Sequence, residues 1–127
     1  MERFKVLVVD DEEDFLETIV KRLQDRNLEV TGVESGLKAL QIIEDQDFDV
    51  VVMDVRMPGL DGIETLKEMK KKKPLIEVIM LTGHASVESG IQGMQLGAFD
   101  YVMKPVPLDE LLDKMRQAYE RKVIQSQ

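Results

Sequence analysis

The chain has no cysteine, no tryptophan and a single histidine, His84, among its 127 residues. Without cysteine there is no disulfide framework, no thiolate metal ligand and no thiol nucleophile. One histidine cannot build a multi-histidine metal centre. Basic residues are in the minority: 17 lysines and arginines against 25 aspartates and glutamates give a formal net charge of −8. That balance disfavours a nucleic-acid-binding surface, which needs a basic face. No apolar run approaches the roughly 20 residues that cross a bilayer. Met1-Glu2-Arg3-Phe4-Lys5 enters a strand-like segment without a signal-peptide pattern. The expectation is a soluble, cytoplasmic chain. Its 43% hydrophobic and 33% charged residues suit one domain over residues 1–127, long enough to bury a core.

Apolar runs alternate with amphipathic stretches from end to end. Val6 to Val9 is a β-branched run stopped by Asp10-Asp11. Leu16, Ile19, Val20 and Leu23 then recur at helical spacing, with Asn27 as a left-handed stop. Glu29 to Val33 reads as a second strand, and Ser35 caps a helix carrying Leu37, Leu40 and Ile43. Val50 to Met53 is a third strand, ending at Asp54. Asp61 with Glu64 fits a capping box for a helix that shows Ile63, Leu66 and Met69 inward. That helix runs into Lys70 to Lys73, a solvated cation cluster suited to a helix's negative end.

Val78 to Leu81 is a fourth strand, ending at Thr82. The next helix is expected to turn Val87, Ile91 and Met94 inward and to stop at Gly97. Tyr101 to Met103 is a short fifth strand ending at Lys104-Pro105. Leu108, Leu111, Leu112 and Met115 mark the last helix. Strands this continuously apolar are typical of a parallel sheet covered on both faces by its crossover helices. The fold class is α/β, a three-layer sandwich of five strands and five helices.

The polar residues fall in one place. Asp10, Asp11, Asp54, Thr82 and Lys104 each stand at or just past the carboxyl end of a strand. Ligands bind at that edge of an open α/β sheet. Crowded carboxylates resist ionisation unless a cation sits among them, and an oxygen-only set suits a hard ion, magnesium before zinc. With a lysine and a hydroxyl at the same edge, the parts suit phosphoryl chemistry. Asp54 is the best-placed carboxylate to act as nucleophile and form an acyl phosphate.

Over essentially its whole length the chain resembles the receiver domain of two-component response regulators. Asp10-Asp11, Asp54 within Met53-Asp54-Val55-Arg56-Met57-Pro58-Gly59-Leu60-Asp61-Gly62, Thr82, and Lys104-Pro105 after Gly97-Ala98-Phe99-Asp100-Tyr101 carry the resemblance. It implies a flavodoxin-like (βα)5 fold with strand order 2-1-3-4-5. It also implies that Asp54 accepts a phosphoryl group from a sensor histidine kinase. Magnesium, with manganese as a substitute, would be held by Asp11, Asp10, Asp54 and the backbone carbonyl of Arg56. Lys104 would pair with the phosphoryl oxygens and Thr82 would hydrogen-bond one of them. Tyr101 would follow by turning inward, and the Lys104-Pro105 bond would be cis. The face of helix four, strand five and helix five would change and control an output partner, with homodimerisation through the same face. The wording of the motifs resembles receivers of nitrogen-regulatory transcription activators most, which implies an output in transcription regulation.

Arg56 and His84 lie two residues after Asp54 and Thr82, flanking the path by which water reaches the acyl phosphate in this family. Their expected role is to tune its lifetime. Gly90 and Gly93 fall inside the fourth helix, each costing about 1 kcal/mol against alanine, through close packing or as a deliberately weak helix. No output domain is expected in this chain, which is either stand-alone or cut from a longer regulator. The alternative reading is a receiver-like interaction module that works without phosphorylation. An aspartate-nucleophile phosphatase fits poorly, because Glu12 stands where that pattern places a second aspartate after Asp10.

Overall fold

The computed structural model describes residues 3–83 and 87–127. Strands and helices alternate along the chain: β1 (Lys5–Val9), α1 (Glu13–Gln24), β2 (Glu29–Val33), α2 (Gly36–Asp45), β3 (Val50–Asp54), α3 (Gly62–Lys72), β4 (Glu77–Thr82), α4 (Val87–Gln95), β5 (Asp100–Met103) and α5 (Leu108–Gln125). All strand pairs are parallel, in the expected order β2-β1-β3-β4-β5. β3 lies at the centre and every one of its residues is buried.

Successive strand residues point to opposite faces, so each strand feeds two cores. Val6, Val8, Val50, Val52, Ile79, Leu81 and Val102 meet Leu16, Ile19 and Leu23 of α1 and Leu111, Leu112 and Met115 of α5. Leu7, Val9, Val51, Met53, Val78 and Met80 meet Ala39 and Ile43 of α2 and Ile63, Leu66 and Met69 of α3. At about 25 cal/mol per Å² of apolar surface removed from water, these two layers are the main force holding the sandwich together.

The punctuation follows the sequence. Ser35 Oγ accepts from Lys38 N–H at 3.1 Å and Asp61 Oδ1 from Glu64 N–H at 2.9 Å, capping α2 and α3. Asn27 and Gly97 take left-handed φ values of 65° and 105° just beyond α1 and α4. The Lys104-Pro105 bond is cis, as expected. Among the described residues no helix is long and apolar enough to cross a membrane.

Helix α4 buries a different stripe from the one expected, and α2 departs at one residue. On α2, Leu37 is 59% exposed, while Leu40 and Ile43 pack into the core beside Gly36 and Ala39. On α4, Ile91 is 48% and Met94 40% exposed, so both face outward; the Val87 side chain lies outside the described part. The physical reason is Gly93. It is buried, and a Cβ there would stand 3.2 Å from Met80 Cγ and 3.8 Å from Ile63 Cδ1. A glycine face lets the helix approach the sheet closely, and its apolar residues are left on the outside. Close packing therefore accounts for Gly93.

Candidate functional site

The carboxyl edge of the sheet brings together residues from four strand ends. Asp10 follows β1 directly and is fully buried. Its backbone N–H donates to Val33 O at 3.1 Å, which continues the β1–β2 pairing. Its Oδ1 accepts from the backbone N–H of Glu12 at 2.9 Å, folding the loop back toward the edge. Asp54 ends β3 and is 7% exposed. Its Oδ1 accepts from Arg56 N–H at 3.2 Å, and the Val55 N–H donates to Leu81 O at 3.0 Å, fixing the loop that follows.

Lys104 reaches across from the end of β5, held by its backbone N–H on Thr82 O at 2.7 Å. Its Nζ donates to Asp10 Oδ2 at 2.9 Å, Asp54 Oδ2 at 3.3 Å and Glu12 Oε1 at 3.3 Å. The ammonium also stands 4.4 Å from the ring centre of Phe15. One cation thus serves three carboxylates. Those of Asp10, Glu12 and Asp54 each offer an oxygen within 4.8 Å of the others.

Burial pushes the Asp54 carboxyl above its ordinary range. The Lys104 charge and the Arg56 N–H act against that shift, and the Asp10 charge adds to it. For Lys104, burial works downward, but its bond to Asp10, the charges of Asp10 and Asp54, and its bond to Glu12 outweigh it and raise the pKa. The two unbalanced negative charges and the all-oxygen donor set fit a hard divalent ion of the magnesium type. Thr82 completes the edge. It is buried, and its Oγ1 has no hydrogen-bond partner among the described residues. A buried hydroxyl without a partner there is free to donate to a polar ligand at this edge.

Asp10, Asp54 and Lys104 therefore meet through their side chains, and Thr82 adjoins them through the bond of its backbone carbonyl to Lys104 N–H. Asp11 is exposed and stands outside the carboxylate trio. Glu12 takes part as well, a role that the sequence reading did not give it. Phe15 was missed as well, because its partner lies far along the chain. Arg56 is exposed beside the site, and His84 lies outside the described residues. Tyr101 is half-buried on β5 against the core beneath α2 and α3. Lys114 of α5 ties that strand down, with Nζ 2.6 Å from Asp100 Oδ2.

Comparison with known proteins gives the family. The family model for the response regulator receiver domain matches residues 6–116. The regulatory protein AtoC of Escherichia coli is 40% identical over 84% of the chain, and the DNA-binding transcriptional regulator NtrC of the same bacterium 35% identical over 93%. The chain spans about a quarter of the length of these curated relatives, 23% of the first and 25% of the second. The crystal structure of a receiver domain protein from Clostridium thermocellum superposes with a TM-score of 0.92 at 37% identity, covering 96% of this chain and 98% of that one. With the family model matched over residues 6–116 and the fold shared with a solved receiver domain, the chain belongs to the response regulator receiver domain family of two-component systems.

Proposed function

We propose that this receiver is switched by phosphorylation of Asp54, with a sensor histidine kinase as donor. The observation that carries the reading is the meeting of Asp54 and Lys104 side chains at a sheet edge where the buried Thr82 hydroxyl has no partner among the described residues. The Lys104 N–H groups and the Thr82 hydroxyl suit a tetrahedral dianion on Asp54. In the reaction a carboxylate oxygen of Asp54 bonds to phosphorus as the phosphorus–nitrogen bond of the donor phosphohistidine breaks, and the imidazole leaves with the electron pair. Lys104 turns its N–H groups to the incoming oxygens, and the Thr82 hydroxyl donates to another. When bound, Mg²⁺ supplies charge neutralisation for the carboxylates and the phosphoryl oxygens. Asp10, Asp11, Asp54 and the Arg56 carbonyl would hold it, and Glu12 is within reach.

Only an ionised Asp54 is a nucleophile. Its raised pKa in the metal-free site means that the ionised fraction falls as pH drops through that pKa. Tyr101 then follows Thr82 inward, altering the face of α4, β5 and α5. The outward Ile91 and Met94 support that face as the surface offered to an output partner or to a second copy. The relatives' names point to an output in transcription, with DNA contact made outside this acidic domain. Arg56 screens the acyl phosphate from water, so Arg56→Ala alters the dephosphorylation rate; an unaltered rate removes Arg56 from that role. His84 is assigned the same task by its position.

Incubation with magnesium and a small acyl phosphate, read by intact mass, tests the central claim. The expected result is a phosphoryl-sized increase in the wild type and none in Asp54→Asn. An increase that survives in Asp54→Asn would overturn the assignment of the acceptor.

A further inference from the structure

We infer that Phe15 is a positioning residue for Lys104, its ring holding the ammonium at the sheet edge while the N–H groups change partners. The inference rests on the phosphorylation reading above. Phe15 is the third residue of α1, half-buried and packed against the core beneath α1 and α5, which fixes the ring. The Lys104 ammonium lies 4.4 Å from its centre, within the roughly 6 Å range of a cation–π contact.

The ammonium has three protons, and three carboxylates use them: Asp10, Asp54 and Glu12. To meet a phosphoryl group on Asp54, Lys104 must release at least one. A carboxylate that positioned the lysine would compete for those protons. An aromatic face attracts the positive charge without consuming any N–H, so it anchors the group and leaves it free to turn. The other anchors are unequal. Asp10 is fully buried, whereas the Glu12 side chain is 67% exposed and adds little. The ring also lines an open groove with Glu12, Ile19, Lys104, Pro105 and Val106. Leucine at position 15 would keep the apolar wall of that groove and lose the electrostatic hold, and water would take the ring's place.

The test uses the full chain, with Phe15→Leu and Phe15→Tyr beside the wild type, and beryllofluoride with magnesium as the phosphoryl mimic. Phe15→Leu is expected to weaken beryllofluoride binding by about two- to five-fold, the size of a partly exposed cation–π contact. Phe15→Tyr is expected to bind as the wild type does, and Mg²⁺ alone to bind all three equally. The Lys104 ε-methylene protons, observed by NMR without metal or mimic, are expected upfield in the wild type and in Phe15→Tyr, and at their ordinary position in Phe15→Leu. The inference is overturned if those protons are unshifted in the wild type, if Phe15→Leu binds the mimic undiminished, or if both variants weaken alike. A parallel loss of Mg²⁺ affinity in Phe15→Leu also overturns it, since that would report a distorted start of α1. A wild type that binds no beryllofluoride defeats the phosphorylation reading instead, and the Lys104 resonances still decide the contact.

Discussion

The two edges of the sheet each carry a buried carboxylate beside a cation, and the arithmetic runs in opposite directions. At the amino edge Glu77, which opens β4 and is 1% exposed, accepts two N–H groups from the Arg121 guanidinium on α5. Lys70 of α3 stands 3.9 Å away and spends its protons on Pro74 O and Ile76 O. The guanidinium also stacks over Phe99 at 4.7 Å. At the carboxyl edge one lysine faces three carboxylates. A carboxylate whose lone pairs are met by a planar fork is finished; it ties α5 to the sheet and has nothing left to bind. A carboxylate group with surplus charge, beside a hydroxyl that has no partner among the described residues, is unfinished, and ligands complete it. Charge balance, more than burial or charge itself, separates the structural edge from the working one.

The strongest test of the finished edge is Glu77→Gln. It leaves a guanidinium and a partly buried lysine without their counter-charge, and a loss of about 2–3 kcal/mol in unfolding free energy is expected. The value sits below that for a fully buried pair because the Arg121 side chain is 42% exposed and can be rehydrated. Denaturant unfolding measures it; a loss under 1 kcal/mol would show that the amino edge is as loosely held as a surface pair. The unfinished edge is tested by adding its missing part. Magnesium at a hundred times its dissociation constant is expected to stabilise the wild type by about 2.7 kcal/mol. Asp54→Asn should lose most of that gain at the same concentration, and Glu77→Gln should keep it. Equal gains in all three proteins would place the ion elsewhere.

Much of this contrast was legible in the sequence on one side only. Apolar runs ending at Asp10, Asp54, Thr82 and Lys104 mark the carboxyl edge, because each strand announces its own end. The amino edge has no such marker. Glu77 and Arg121 are 44 residues apart, and a lone glutamate before an apolar run reads as a solvated charge. The same limit hid Glu12 and Phe15, whose partner is Lys104 just past the last strand. The outward turn of Ile91 and Met94 has a different cause. Periodicity shows which residues share a helical face, but a buried glycine at position 93 decided which face met the sheet. Caps and left-handed stops were visible because they depend on residues within one turn of each other.

The chemistry of the two cations sharpens the comparison further. Arginine at the amino edge presents a rigid fork that fits one carboxylate and stays there; lysine at the carboxyl edge is a point charge that can turn among several. Arg121→Lys keeps the charge and loses both the paired N–H geometry and much of the stacking on Phe99. A cost of about 1–2 kcal/mol is expected, again by denaturant unfolding. Lys104→Arg is expected to leave stability close to the wild-type value while impairing the response to phosphorylation. A fork seated on Asp10 and Asp54 has no reason to let go. If Lys104→Arg responded normally, mobility of the cation would not be what distinguishes this edge.

The smallest effect is the most direct reading of the charge surplus. Burial first, and then the neighbouring Asp10 charge, raise the Asp54 pKa in the folded protein despite the opposing pull of Lys104. A carboxyl whose folded pKa exceeds its unfolded value favours folding when protonated, and that contribution is lost as pH rises through the folded pKa. Ionised Asp54 therefore costs stability at neutral pH without metal. Asp54→Asn, which removes the charge and keeps the shape, should unfold at higher denaturant than the wild type at pH 7, and its advantage should shrink on acidification through the Asp54 pKa. Equal midpoints at pH 7, or an advantage that grows as the pH falls, would mean that Lys104 already balances the site, and the distinction between a finished and an unfinished edge would fail at the residue on which it most depends.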